Sequence, residues 1–209
     1  MKTILHTATS RGHAYHGWLN TYHTFSFANY YNPDRVHFGA LRVLNDDTIA
    51  EGEGFDTHPH DNMEVITIPL HGAVEHKDSM HNSEIIRSGE IQVMSAGTGI
   101  FHSEYSKDGF GDTSLLQIWV FPNKKNVTPR YDQISLADVA KKDELYQGMR
   151  SEFSTIAKQK IYHCVVRGHF NREGKHAHLF WSTGERGHKI SCSPASGTVQ
   201  KKDAQKGEL

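Results

Sequence analysis

The chain has 209 residues, and its 23 Lys and Arg against 24 Asp and Glu leave a formal net charge of −1 at pH 7. A near-zero balance without long runs of one sign argues against a polybasic nucleic-acid binder and against an acidic disordered chain. No apolar stretch approaches the roughly 18 residues that span a bilayer, the first residues lack the apolar core of a secretory signal, and two cysteines support no disulfide framework. We therefore expect a cytoplasmic protein without a membrane partner and without direct nucleic-acid contacts.

The first two thirds of the chain have the pattern of short strands separated by turns. Segments rich in β-branched or aromatic residues predict strands at 36–44, 63–70, 85–86, 91–94 and 115–121. Polar or glycine-rich turns are predicted at 45–47, 51–54, 77–79, 88–89 and 97–99. Many short strands at this spacing indicate an antiparallel barrel or sandwich. A helix is predicted at 136–146, where Ser135 is the capping residue.

The composition changes after about residue 147. Residues 1–150 have a net charge of −6, whereas residues 151–209 have a net charge of +5, with strand-like segments at 161–166 and 179–181. From about residue 183 the chain is rich in Ser, Gly and Lys, and such a segment buries too little apolar surface to offset its ordering entropy. We therefore predict a barrel domain at 1–132, a linker or short helix at 133–147, and a degenerate region at 148–209 that is divergent, truncated or partly disordered.

Two short clusters, His-Pro-His at 58–60 and His-Ser-Glu at 102–104, contain the candidate chemistry. In an extended segment, residues two apart project to the same face, so each cluster directs two ligand-type groups to one point. Glycines precede both clusters and permit tight turns at a barrel mouth. The alternative is a pair of solvated histidines on a surface strand. If the barrel brings the clusters together, they form a ligand set for a divalent transition metal: His58, His60, His102 and Glu104.

These motifs resemble those of a known family. The run Gly52-x5-His58-x-His60-x3-Glu64, followed by Gly72, is similar to the first motif of the cupin superfamily, with the closing glycine one residue late. More specifically, four segments resemble the pirin family: TFSFANYY at 24–31, THPH at 57–60, SAGTGIFHSE at 95–104 and TPRY at 128–131. The resemblance covers residues from about 10 to 132 and ends beyond about 147.

The pirin resemblance implies an all-β bicupin, with two stacked barrels and metal only in the N-terminal one. Carried over by position, the implied ligands are His58, His60, His102 and Glu104. Ordinary cupins take a carboxylate from the first motif, which here is Glu64, but Glu104 shares a face with His102. We therefore favour Glu104 as the ligand and place Glu64 beside the site. The implied metal is Fe(II), although Mn, Co, Ni, Cu and Zn accept the same ligand types.

The resemblance also implies an activity. Several pirins resemble quercetinases, which cleave a flavonol with O2 and release carbon monoxide. On this interpretation a flat phenolic substrate binds beside the metal, and Glu104 is the catalytic base that takes its proton. Two alternatives stay open. One is a regulatory metal-binding module, like a pirin-type transcription cofactor, that docks a protein partner without turnover. The other is a non-oxidative metal enzyme such as an isomerase.

Several further aromatic and histidine side chains have a structural interpretation. The aromatic block 25–31 could line a substrate pocket, but we expect Phe25 and Phe27 to face the barrel core. Trp119 is expected to serve packing as well. His71, His76 and His81 flank a polar hairpin and are expected to meet water. The pair His176-Ala177-His178 imitates a ligand pair, but no second pair with a glycine-rich lead-in accompanies it, so we interpret it as coincidental.

Overall fold

A computed structural model describes residues 7–136 and, for their backbone, three further strands at His163–Gly168, Ala177–Thr183 and Arg186–Lys189. Apart from a short 3-10 turn at Ala8–Ser10, the regular structure of this described part is β. The predicted all-β class is therefore confirmed. The predicted helix at 136–146 lies, apart from its first residue, outside the described residues.

In the part of the chain that the structure describes, no helix has the length and apolar character needed to cross a lipid bilayer.

Residues 7–136 form eleven strands that pair antiparallel in two sheets. They are β1 (Gly12–Tyr15), β2 (Leu19–His23), β3 (Leu41–Ile49), β4 (Gly54–His60), β5 (Glu64–His71), β6 (Ala73–Asp78), β7 (Ser83–Arg87), β8 (Glu90–Ser95), β9 (Ile100–Ser106), β10 (Thr113–Val120) and β11 (Arg130–Ser135). The large sheet has the order β1-β2-β3-β10-β5-β8-β11, and the small sheet has the order β4-β9-β6-β7. The strands β12 (His163–Gly168), β13 (Ala177–Thr183) and β14 (Arg186–Lys189) form a third antiparallel sheet.

The large and small sheets pack face to face around an apolar interior. One buried cluster joins Ile49 and Leu115 of the large sheet to Val74 and Ile86 of the small sheet. A second joins residues of both sheets nearer the other end of the strands: Val65, Met94, Ala96 and Ile100. Apolar burial of this kind is the dominant favourable contribution to folding. Among the strands between residues 7 and 136, the two sheets are separate hydrogen-bonded units, so these strands form two open sheets that face each other rather than the closed barrel that was expected.

The opposite face of the large sheet is also apolar. The largest buried cluster contains Leu44, Ile66, Ile68, Leu116 and Ile118, which alternate along their strands with residues of the interior face. Strand β5 is accordingly buried at five consecutive positions, from Val65 to Pro69. A continuous buried run is typical of a strand that is covered on both faces.

The predicted strand and turn at 36–47 are wrong in their bounds. Strand β3 begins at Leu41, and residues 45–47, which were predicted to form a turn, lie in its middle. Asn45 and Asp47 pair with β2 on one side and with β10 on the other. Their polar side chains suggest a turn, but neighbours on both sides and burial override this local preference.

Strand β11 pairs with β8 along its whole length, so the large sheet crosses the expected domain boundary at 132 and ends at Ser135.

The predicted turn at 97–99 precedes β9. Gly97 has φ +48°, and a side chain at this position would overlap the carbonyl oxygen of Val127. Only glycine permits this close approach together with a positive φ, and the turn fixes where β9 starts.

Candidate metal centre

Strands β4 and β9 bring three imidazoles together. His58 lies directly opposite His102 in the strand register, and His60 follows two residues later on the same face. The ring centroids are 4.4 Å apart for His58 and His102, 5.0 Å for His58 and His60, and 4.9 Å for His60 and His102. One ring nitrogen from each residue lies within 4.8 Å of the other two. This spacing allows three nitrogen ligands to surround one cation.

A backbone carbonyl selects the tautomer of His58. Its Nδ1 lies 2.7 Å from the carbonyl oxygen of Asp56. Because a carbonyl oxygen only accepts hydrogen bonds, Nδ1 has a proton, and in the neutral tautomer that this bond selects the lone pair is on Nε2. Histidines that bind metals are commonly oriented by such a bond from the second ring nitrogen.

Burial keeps the other two imidazoles neutral. It lowers the pKa of His60 to about 4, with the neighbouring His102 and His58 adding to the effect. Burial likewise lowers the pKa of His102 to about 3, and His58 and His76 lower it further. Both rings are therefore uncharged at neutral pH, which is the form that binds metal ions.

His102 shows most directly that the site suits a cation. Its side chain is 1% exposed, and neither ring nitrogen has a hydrogen-bond partner in the described part of the chain. A buried polar group without a partner costs about 1–3 kcal/mol. A divalent metal shared with His58 and His60 would satisfy one nitrogen of His102. The donor set of imidazoles next to a carboxylate suits first-row transition metals.

Glu104 lies two residues after His102 on the same face of β9 and is 3% exposed. Its Oε1 accepts a hydrogen bond of 2.9 Å from the hydroxyl of Thr67, and its Oε2 accepts one of 2.8 Å from Nε2 of Gln117. A carboxylate oxygen of Glu104 also lies within 4.8 Å of ring nitrogens of His102 and His76. Glu104 thus adjoins His102, but it does not belong to the group in which the ring nitrogens of His58, His60 and His102 converge.

His76 is buried, which corrects the expectation that it meets water. It is 0% exposed, its ring lies 5.3 Å from that of His102, and it stacks on Tyr131 at 4.7 Å. Its Nε2 lies 3.1 Å from Oδ2 of Asp78, and its Nδ1 lies 3.3 Å from the amide nitrogen of Gln92. Because both nitrogens are engaged, His76 supports the cluster rather than offering a lone pair. The alternation of Val74, His76 and Asp78 along β6 was the available signal for its inward orientation.

Glu64, the alternative carboxylate, begins strand β5. The hydroxyl of Ser95, directly opposite on β8, donates a 2.9 Å hydrogen bond to its Oε1. Burial raises the pKa of Glu64, and the bond from Ser95 opposes that rise. Among the described residues, Glu64 belongs to neither of the two groups whose ligand atoms converge.

An aromatic wall adjoins the imidazoles. The indole of Trp119 meets the ring of His60 edge-on at 4.8 Å, and Phe27 meets Trp119 edge-on at 5.3 Å. Trp119 packs in the interior as predicted, but it also contacts a candidate ligand, which the sequence analysis missed. Phe25 lies in the core as expected. Phe27, which was also expected to face the core, is half-buried and packs edge-on against Trp119 instead. The pair at 176–178 lies outside the residues whose side chains are described.

Comparison with known proteins identifies the class to which this fold and site belong. The model of the pirin family matches residues 5–120, which is more than half of the chain. The chain therefore belongs to the pirin family, and the predicted resemblance and cupin fold are confirmed.

Individual relatives match the same region. Quercetin 2,3-dioxygenase of Escherichia coli K12 is 57% identical over 129 residues, which is 62% of this chain and 56% of that protein. A pirin-like protein of Caulobacter vibrioides is 47% identical over 120 residues, which is 57% of this chain and 51% of that protein. The crystal structure of the bacterial pirin YhhW from Escherichia coli in complex with nickel(II) has 55% identity and a TM-score of 0.60, and the match covers 62% of this chain and 56% of that one. The chain thus spans just over half the length of these relatives.

Proposed function

We propose that the chain binds one divalent transition metal through His58, His60, His102 and Glu104. The observation that supports this most directly is the buried ring of His102, whose two nitrogens have no partner among the described residues. The neutral forms of His60 and His102 at pH 7 and the bond that fixes His58 add to this support. The related Escherichia coli pirin was crystallised with nickel(II).

We propose Fe(II) as the metal of the active, metal-loaded protein. Four protein ligands leave two positions open on an octahedral ion, which suits binding of a substrate and O2 rather than a closed structural site. Manganese, cobalt, nickel, copper and zinc accept the same nitrogen and oxygen ligands. Loading the purified protein with each metal in turn and comparing activity per bound ion tests this preference.

The reaction we propose is dioxygenation of a flavonol-like phenol, of the quercetin 2,3-dioxygenase type. Both atoms of O2 enter the cleaved ester product, and the two carbon–carbon bonds of flavonol carbon 3, to carbons 2 and 4, break. Carbon 3 leaves with its own hydroxyl oxygen as carbon monoxide, and the proton of that hydroxyl is returned to the new carboxylate of the product. The name of the Escherichia coli relative, which is 57% identical, supports this assignment. When bound, the metal supplies Lewis-acid and redox chemistry toward the phenol and O2.

The residues of the chain then divide the remaining tasks. Glu104, held by Thr67 and Gln117, accepts the proton of the flavonol 3-hydroxyl on one of its carboxylate oxygens. Trp119 and Phe27 present aromatic edges and faces to a flat ring system and exclude water from one side of it. The apolar cluster of Val65 and Met94, against which Trp119 packs, excludes water from the part of the interior behind Trp119.

Carbon monoxide release tests this function. The iron-loaded protein is incubated with quercetin in air, and carbon monoxide is measured together with the loss of flavonol absorbance. We expect release by the wild type and its loss in His58→Ala and in Glu104→Ala. The variant His71→Ala, which removes an exposed histidine outside the site, serves as the matched control and should keep wild-type activity. Stoichiometric metal without turnover of any flavonol would instead favour the regulatory binding module.

We also propose a domain division that follows the sequence analysis. A metal-binding barrel occupies residues 1–132 and is extended to Ser135 by β11, residues up to 147 connect it, and 148–209 form the degenerate second cupin region. The three antiparallel strands β12, β13 and β14 support a β-rich second region. Limited proteolysis with mass spectrometry tests the division, because a protected fragment ending near residue 135 is expected. A single protected species extending to Leu209 would contradict it.

A further inference from the structure

A row of polar side chains crosses the interior face of the large sheet. Gln92 of β8 lies opposite Thr67 of β5, and Thr67 lies opposite Gln117 of β10. Residues directly opposite each other in a ladder share one face, so the three side chains point together into the space between the sheets. All three are buried. Buried polar side chains need hydrogen-bond partners, and here the partners come from the other sheet.

The small sheet presents a matching row. His76 of β6 lies opposite Glu104 of β9. Three hydrogen bonds join the rows across the gap: Gln92 to His76 at 3.3 Å, Thr67 to Glu104 at 2.9 Å and Gln117 to Glu104 at 2.8 Å. Glu104 is therefore held by two donors from adjacent strands of the facing sheet.

The direction of these bonds follows from the chemistry of the groups. The hydroxyl of Thr67 has a single proton and lies 2.9 Å from Glu104 but 3.3 Å from Oε1 of Gln117. A carboxylate oxygen is a stronger acceptor than an amide oxygen, and the contact is shorter, so the proton of Thr67 goes to Glu104. The amide of Gln117 must then face Glu104 with its nitrogen, because its oxygen would repel a carboxylate oxygen.

Two donors, one on each oxygen, fix the plane of the carboxylate. An ionised carboxylate offers about four lone-pair directions, and the bonds from Thr67 and Gln117 use one on each oxygen. One direction on each oxygen remains available to a cation or to a proton of the substrate. Without the two donors, the side chain could rotate about its terminal bond.

We propose that Thr67 and Gln117 are positioning residues that orient Glu104 toward the metal proposed above. This inference rests on the proposed metal site and extends it to two residues on the opposite sheet. They act through Glu104 and need not touch the metal or the substrate. Residues that hold a metal ligand in this way typically contribute 10–100-fold to metal affinity.

The test uses cobalt(II), whose visible absorption reports the number and geometry of its ligands without any turnover. The full chain is freed of metal and titrated with cobalt(II) against a competing chelator, for the wild type, Thr67→Val and Gln117→Leu. Thr67→Val exchanges a hydroxyl for a methyl group of similar size, so the fold is expected to persist. We expect each variant to bind cobalt(II) about 10–100-fold more weakly and to show an altered spectrum.

Two further variants separate positioning from mere burial. Thr67→Ser keeps the hydroxyl and should retain the wild-type spectrum and affinity. Gln92→Leu removes a buried amide from the same row, but this amide contacts His76 and not Glu104. We expect Gln92→Leu to lose stability without a change in the cobalt spectrum. Equal spectral changes in Gln92→Leu and Gln117→Leu, or wild-type affinity in both Thr67→Val and Gln117→Leu, would overturn the proposal.

The cobalt(II) titration and the carbon monoxide assay distinguish failure of the positioning proposal from failure of the proposed dioxygenase activity. If wild-type protein binds cobalt(II) stoichiometrically but its iron form releases no carbon monoxide from quercetin, the dioxygenase assignment fails and the cobalt comparison still decides the positioning role. If wild-type protein does not bind cobalt(II) at all, the metal site and the positioning proposal both fall.

Discussion

A buried carboxyl group on β3 is expected to make stability depend on pH. Asp47 is 4% exposed, and its Oδ1 has no hydrogen-bond partner in the described region. Burial raises its pKa from 3.8 to about 7; the negative charges of Asp46 and Glu104 add to the rise, and a hydrogen bond with Thr21 opposes it. Because the charged form is disfavoured in the native interior, the folded protein holds a proton here that the unfolded chain releases.

The sign and size of the effect follow from proton linkage. Between about pH 4 and pH 7 the native state binds one more proton at Asp47 than the unfolded state does. The free energy of unfolding therefore falls as the pH rises from about 4 to about 7, by about 1.4 kcal/mol per pH unit. The stabilisation is complete below pH 4 and is lost above pH 7, and it amounts to about 4 kcal/mol in all.

Asp47→Asn tests this reasoning, because the amide imitates the protonated acid and does not titrate. Urea denaturation of the metal-free protein at pH 5 and at pH 8 gives the free energies of unfolding. From pH 5 to pH 8 the free energy of unfolding of the wild type should fall by about 3 kcal/mol more than that of the variant. Asp34→Asn, at an exposed carboxylate, controls for the loss of a charge. An Asp47→Asn difference that is the same at both pH values would refute the argument.

Two further predictions concern packing, and both are measured by urea denaturation. Gly97→Ala should lower the free energy of unfolding by about 2–4 kcal/mol, because it adds a methyl group against the Val127 carbonyl at a positive φ. Gly89→Ala is the control, because φ there is +90° but the space around it is open, and it should lower the free energy of unfolding by less. An equal loss in both variants would show that the contact with Val127 does not matter. Ile118→Ala should cost about 2–5 kcal/mol, because Ile118 is fully buried in the largest apolar cluster. A loss below about 1 kcal/mol, comparable to that of half-buried Ile134→Ala, would show that this face is loosely packed.

The sequence predicted the parts of the site that depend on strand periodicity. A two-residue spacing places His58 with His60 and His102 with Glu104 on shared faces whatever the rest of the fold does. The structure shows His58 and His102 directly opposite each other on paired strands. That the four residues bind one metal stays a prediction.

Tertiary contacts decided the parts that the sequence missed. His76 lies in a strand that begins with two apolar residues and continues with charged and polar ones, so the alternation along the strand is a weak signal. The contact with Gln92 of the facing sheet is what places His76 in the interior. The polar segment at 45–47 resembles a turn, yet ladders on both sides make it the middle of a strand. Trp119 gave no local sign that its edge would meet His60. Such contacts join residues far apart in sequence, which composition and periodicity do not report.

The position of β4 has a consequence for how a bound ion would leave. Strand β4 is at the edge of the small sheet, pairs there with β9 alone among the described strands, and contains both His58 and His60. Pro59 between them has no N–H to contribute to that pairing. Detaching this one strand would remove two of three nitrogen donors while the large sheet stays intact. If the chain binds a metal at the site proposed above, fraying of this single edge is a route by which the ion leaves, and the dissociation rate would then vary between variants without a change in melting temperature.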